Sequence, residues 1–208
     1  MKFLGYDINP PLLIRSNESL AVNSVTGITF ETGPDAIIWT VEFMLIQPRY
    51  LAGKMIKTIQ AHRKEYKKSR SFTLFDVGGG LIHDGDESKI QSTISLQADA
   101  AIDAETIKLK RTTGTSTADK FEPGDFFRIA GSNQIYQVKG TTDVLFNQLN
   151  VARNCKIFPP LIKAVTADTR VLPEPNPLAK WHKDSQDPGG VDAGNVTVYQ
   201  CLFQLINQ

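Results

Sequence analysis

The chain of 208 residues holds only two cysteines, Cys155 and Cys201, and three histidines, His62, His83 and His182. The cysteines lie far apart and form no CxxC pair, so they read as buried free thiols of a cytosol-made protein, without a disulfide. The histidines fall in three different kinds of segment. With no HExxH and no paired His/Cys spacing, a zinc enzyme is not expected and no metal is assigned. GxSxG, SxxK and a cysteine in an activating context are also missing, so no catalytic residue is named. No apolar run approaches the roughly 20 residues of a membrane helix, and "MKFLGYDINPPLLIRSNE" does not read as a signal peptide; no membrane partner and no export are expected. The net charge of +1 speaks against a generic coater of nucleic acid. There is no internal repeat and no low-complexity tract.

Hydrophobic residues make up 41% and charged residues 22%, an ordinary globular balance. The length suits one large domain or two small ones. After the turn Gly33-Pro34-Asp35, the run "AIIWTVEFMLIQ" places Ile37, Trp39, Val41, Phe43 and Leu45 on one face and Thr40 and Glu42 on the other. This predicts a long strand ended by Pro48, which cannot donate to a ladder. A helix follows, with Leu51, Met55, Ile59 and His62/Tyr66 in an apolar stripe beside Ala52 and Ile56. Its remaining surface is basic: Lys54, Lys57, Arg63, Lys64, Lys67, Lys68 and Arg70 stand against the single acid Glu65. Several of these suit the negative end of the helix dipole. "SFTLFD" reads as a further strand, and a strand near "SVTGITFETG" is expected to pair with the Trp39 strand.

Beyond the glycine-rich loop "VGGGLIHDGDESK" the pattern changes to short β-type runs: "IQSTISL", "ETIKLK", "DFFRIA", "QIYQVKG", "LNVARN" and "KAVTADTRVL". Turns at such regular spacing predict a small barrel or sandwich. Glu122-Pro123-Gly124-Asp125 fits a type II turn with Asp125 capping its backbone, and "GSN" fits a hairpin. "LPEPNPLAKWHKDSQDPGGVDAGN" reads as an extended crossing. The run "NVTVYQCLFQLINQ" then sets Tyr199, Cys201, Phe203 and Leu205 on one face of a closing strand.

Two constellations invite a functional reading. The loop residues His83, Asp84, Asp86 and Glu87 lack the EF-hand order of ligands, and their acids would repel phosphate, so a solvated loop is expected and no cofactor is assigned. The basic helix carries no interleaved exposed aromatics and no helix-turn-helix partner, which favours a scaffold helix with a solvated or subunit-facing basic surface over sequence-specific readout. The alternative is a nucleic-acid-binding module with an OB-like barrel, for which Phe126, Phe127, Arg128, Tyr136 and Lys139 would supply stacking and charge. Phe126 and Phe127 point to opposite faces of a strand, so at least one belongs in the core.

The lead "INPPLLIRSNESLAVNSVTGITFETG", the tryptophan-bearing strand, and the helix that ends before "F-x-L" resemble the opening of tail-tip proteins of tailed bacteriophages. In the middle block the order "GD-x-x-x-I", "Y-x-V", "P-x-L" and a late "N-P" is similar to an inserted β module of the same group. The chain thus resembles the distal tail protein family. That resemblance implies a non-enzymatic virion protein, made in the host cytoplasm and located in the tail. Its partners would be itself, in a ring of sixfold symmetry, and other tail proteins of the tube, hub or tip. The lysine-rich helix and the acidic glycine loop depart from the pattern.

The reading that results is a β-rich α+β fold. An antiparallel sheet carries one helix, a small β-barrel is inserted, and a C-terminal strand returns to the sheet. The expected divisions are 1–89 for the sheet and helix, 90–172 for the barrel, and 173–208 for the crossing and return strand. Candidate subunit contacts are Trp39, Lys54, Lys57, Arg63, Lys64, Lys67, Lys68, Asp84, Asp86 and Glu87. The Trp39 and C-terminal strands are expected to offer unprotected edges.

Overall fold

The computed structural model describes residues 2–8, 12–16, 21–23, 29–31, 38–66, 70–76, 90–173, 175–181, 191–193 and 195–205. Two compact units arise, one from Met1–Asp76 with Leu178–Ile206 and the other from Val77–Pro177 with the last two residues. The fold is β-rich α+β with one helix among the described residues and a closed six-stranded antiparallel barrel.

The chain starts with a tight hairpin of β1 (Lys2–Phe3) and β2 (Tyr6–Asp7). Its turn has Leu4 and Gly5 at φ of 52° and 81°, and a carboxylate from the far end of the unit's first segment holds it. The backbone N–H groups of Leu4 and Gly5 donate to the two oxygens of Asp76 at 3.1 and 2.7 Å, and Asp76 N–H returns a bond to Lys2 O. Next come β3 (Leu12–Ser16), then β4 (Ala21–Asn23) and β5 (Thr29–Glu31), which pair with each other. The long β6 (Ile38–Pro48) leads directly into α1 (Arg49–Glu65), and β7 (Phe72–Thr73) follows.

The barrel takes β8 (Ile94–Leu96), β9 (Thr106–Arg111), β11 (Phe126–Ile129), β12 (Ile135–Lys139), β14 (Arg153–Phe158) and β15 (Arg170–Pro173). Around the barrel they run in the order β11-β12-β14-β9-β8-β15. A separate ladder joins β10 (Lys120–Phe121) to β13 (Val144–Leu145). Period-two alternation fills the interior, with Ile107 and Leu109 from β9, Tyr136 and Val138 from β12, and Cys155 and Ile157 from β14. The turn at Glu122–Asp125 forms as its sequence dictates. Gly124 takes φ of 100°, and Asp125 Oδ2 accepts from Glu122 N–H at 2.6 Å. Gly131, at φ of 79°, turns β11 back as β12.

The chain then rejoins the first unit as β16 (Leu178–Trp181), β17 (Val191–Ala193) and β18 (Val196–Leu205). The sheet order is β3-β6-β18-β16-β7, with β17 also on β18. In β6, Val41, Phe43 and Leu45 face inward; in β18, Tyr199, Cys201 and Phe203 do the same. Phe43 stacks on Phe203 at 5.1 Å, and Phe3 meets both edge-on at 5.3 Å. Onto this aromatic layer α1 lays Ala52, Met55 and Ile59. With no acid in its first turn and no side-chain cap, the helix has Pro48 at its N-cap position, and Arg49 N–H donates to Asn195 O.

Several expectations are corrected. The partner of the Trp39 strand is β3, whereas the Thr29–Glu31 strand pairs with β4. "PLAKW" is a sheet strand between β18 and β7, not part of an extended crossing. The strand expected at "LNVARN" begins only at Arg153 and runs on through Cys155 to Phe158. The edge expectation holds only in part: β18 has β6 on one side and β16 and β17 on the other, and β3 covers β6 over Ile38–Glu42, while beyond Glu42 that side of β6 meets only the Ile8–Leu45 bridge among the described residues. Leu51 is 41% exposed, because residues four apart advance 40° per step around a helix and drift off the buried stripe. The true stripe steps by three and four through Ala52, Met55 and Ile59.

Candidate functional site

The first unit presents two surfaces able to engage a partner. On α1, Tyr50, Lys54, Lys57, Ala61 and Lys64 follow alternating steps of four and three and share the solvent-facing side, opposite Ala52, Met55 and Ile59. Tyr50 is 85% exposed at the start of this face, and the three lysines follow it. Arg63 differs from the other predicted contacts. It is half-buried, with its guanidinium 5.4 Å from the centre of the Trp181 ring.

The second surface is the side of the sheet turned away from the helix. Met44 and Ile46 alternate with the inward Phe43 and Leu45 and stand 40% and 41% exposed. Across the ladder they sit opposite Gln200 and the half-buried Val198. The Glu42 carboxylate accepts from the Gln200 amide beside them. Sequence reasoning missed this pair, although the signal was there: the side assigned to Thr40 and Glu42 also carries Met44 and Ile46.

Trp39 lies in β6 opposite Arg15 of β3, and its side chain is outside the described residues. Lys67, Lys68, Asp84, Asp86 and Glu87, together with His83 and His182, are likewise outside them.

At the last turn of α1, Trp181 Nε1–H donates to His62 Nδ1 at 3.2 Å. Burial lowers the His62 pKa below its ordinary value, opposed by the Glu65 charge. Both cysteines are buried free thiols, as expected. Burial pushes Cys155 up to about 12. It pushes Cys201 up as well, with Arg63 acting in the other direction. Neither thiol is an activated nucleophile.

In the barrel, Phe126, Phe127 and Tyr136 are all buried, so these three form no stacking platform. Phe127 and Tyr136 stack on each other inside, and burial raises the Tyr136 phenol to about 12 against a hydrogen bond with the Ile162 backbone. The remaining two residues of that set are also engaged. Arg128 Nη1 lies 3.4 Å from Asn133 Oδ1, and Lys139 Nζ sits 4.4 Å from the centre of the Phe158 ring.

An open hollow of about 270 Å³ on the barrel surface is lined by Asp143, Val144, Leu145, Asn147, Arg153 and Asn154. Its charged groups are already engaged: Asp143 pairs with Lys120 at 2.8 Å, and Arg153 donates to the Asn147 amide oxygen at 2.8 Å. Among the described residues no three His, Cys, Asp or Glu side chains gather in a way that would hold a metal, and no helix is long and apolar enough to cross a membrane. Comparison with protein-family models and with curated proteins finds no match for this chain.

Proposed function

We propose that this protein is a structural subunit of a bacteriophage tail, forming a ring at the distal end of the tail tube and connecting it to the baseplate or tip. The observation that carries the reading is the uncovered side of the sheet. Met44 and Ile46 keep about two-fifths of their surface in water while the helix occupies the other side. Contiguous exposed apolar surface can mark association sites, and Met44 and Ile46 would form the centre of such a contact. The segment order of the distal tail protein family supplies the identity of the assembly.

A ring arises when one patch of a subunit meets a different patch of the next and the rotation closes. Each contact then needs only modest strength, because the closed ring links many copies. The lysines of α1 contribute mainly to steering and register. No catalytic step, cofactor or sequence-specific nucleic-acid contact belongs to this role.

Mass photometry with electron-microscopic averaging of the purified protein tests it. A closed homomeric ring is expected, sixfold by the resemblance, and replacing Met44 and Ile46 with Asp is expected to disperse it into folded subunits. A chain that stays monomeric at every concentration and in the intact particle overturns the proposal.

A further inference from the structure

One hydrogen bond joins the last turn of α1 to β16, and its chemistry depends on a proton. The indole Nε1–H of Trp181 can only donate, so His62 Nδ1, at 3.2 Å, is the acceptor. That assignment places the proton of the neutral imidazole on Nε2. An imidazolium has a donor on both nitrogens, so protonating His62 turns the acceptor into a second N–H facing the indole N–H.

The ring's surroundings are aromatic: the Tyr66 face attracts an imidazolium modestly, by less than the hydration it displaces. Tyr66 stacks on it at 4.6 Å, and Phe72 and Phe3 meet it edge-on at 4.6 and 5.5 Å. An edge-on aromatic presents the positive rim of its quadrupole if the rim points at the imidazole, and its negative face if the imidazole edge points at it. In neither case does it replace the hydration of a charge. The charged groups of the neighbouring elements divide as follows. On α1 itself, Glu65 favours the proton and the Arg63 guanidinium over Trp181 opposes it. On β1, Lys2 is exposed on the side away from Phe3; on β16, Lys180 alternates with the inward Trp181. Phe72 of β7 is flanked by the uncharged Ser71 and Thr73. On β18 the inward titratable groups are Tyr199 and the Cys201 thiol, the latter kept neutral by burial. Lys67, Lys68 and His182 follow in sequence outside the described residues.

We infer that the His62–Trp181 bond is an acid-opened latch, which holds the last turn of the basic helix on β16 when His62 is neutral and releases it when His62 is protonated. The latch stands whether or not the ring reading holds. Because burial depresses the folded-state pKa of His62 below its ordinary 6.5, the folded state binds the proton less readily than the unfolded chain. The latch's stabilisation is therefore fully present above pH 6.5 and is lost as pH falls through the folded-state midpoint. Its release frees the turn that carries Lys64.

Two measurements on the full-length chain test the latch. The first follows the imidazole of His62 and the indole N–H of Trp181 by NMR from pH 8 to pH 4.5. A neutral Nε2–H tautomer is expected, with a His62 midpoint below 6.5 and an indole resonance that moves with that midpoint. The second compares urea unfolding of the wild type with that of His62→Gln, whose amide oxygen accepts from the indole at every pH. The wild type is expected to lose about tenfold in its folding constant for each unit by which the midpoint lies below 6.5, and the variant less. A midpoint at or above 6.5, an indole signal indifferent to it, or identical pH dependence in the two proteins overturns the inference. Should His62→Gln fail to fold, the wild-type titration decides alone.

Discussion

Ile59→Ala and Leu51→Ala make a matched pair of perturbations on one helix. Both residues belong to the apolar stripe read from the sequence, but Ile59 is fully buried against the sheet and Leu51 is 41% exposed. Removing three carbons from a buried isoleucine forfeits about 2.4 kcal/mol, at about 0.8 kcal/mol per carbon. The cavity left between the helix and the sheet adds to this, and the better helix propensity of alanine returns at most about 0.7 kcal/mol. The expected net loss is about 2–4 kcal/mol. At Leu51 much of the side chain already meets water, and although leucine, itself a good helix former, returns less propensity than isoleucine, the expected loss stays below about 1 kcal/mol. Both tryptophans, Trp39 and Trp181, lie in the first unit, so their fluorescence during urea unfolding follows that unit alone. The readout is the midpoint at unchanged slope. If Leu51→Ala costs as much as Ile59→Ala, the assignment of the helix face is refuted.

Two further changes probe the barrel unit. Gly114 has φ of 98°, and a Cβ there would stand 2.1 Å from Ser92 Oγ, so Gly114→Ala is expected to destabilise by more than about 1 kcal/mol in thermal or urea unfolding of that unit. Arg111 ends the inward side of β9, and Asp119 is buried with it. Burial alone would raise the Asp119 pKa, yet the nearby Ser92 hydroxyl, the Gln91 N–H that donates to Oδ1, the Ser116 hydroxyl and the Arg111 charge bring it below the ordinary carboxylate value. Asp119→Ala removes the carboxylate that accepts from Gln91 N–H at 3.1 Å and leaves that backbone donor unpaired, and it is expected to cost about 1–3 kcal/mol at neutral pH. In the wild type the Asp119 contribution is present above pH 3.8 and disappears as pH falls through the lower folded-state value, which an acid titration by circular dichroism checks against the variant.

The parts legible in the sequence were those that repeat a period. Val41, Phe43 and Leu45 alternate, as do Tyr199, Cys201 and Phe203, and each trio lies buried where the alternation placed it. The barrel was legible from the spacing of its turns, and the Glu122–Asp125 turn from the residue types at its corners. What escaped was decided by tertiary partners. "PLAKW" follows a proline cluster and has only four strand residues, so nothing local marks it as a strand; the ladders from β7 and β18 make it one. Which strand pairs with β6 depends on a register that no local signal encodes. Of the candidate contacts, Lys54, Lys57 and Lys64 lie on the solvent side of α1, whereas Arg63 is drawn down onto Trp181, a ring more than a hundred positions away in sequence.

The strands on either side of the barrel's insertion point are themselves neighbours. Thr73 of β7 pairs with Leu178 of β16, and within the barrel Ile94 of β8 pairs with Val171 of β15. The host sheet and the inserted barrel therefore each bring the chain's two crossing segments together as an antiparallel pair. A disordered loop of about a hundred residues would add about 3 kcal/mol of closure entropy over a four-residue turn. A folded guest whose first and last strands are already side by side removes most of that penalty. The sheet is thereby insulated from what it carries: a short turn, or a different domain with adjacent ends, can stand between Thr73 and Leu178 without disturbing the ladder that receives it.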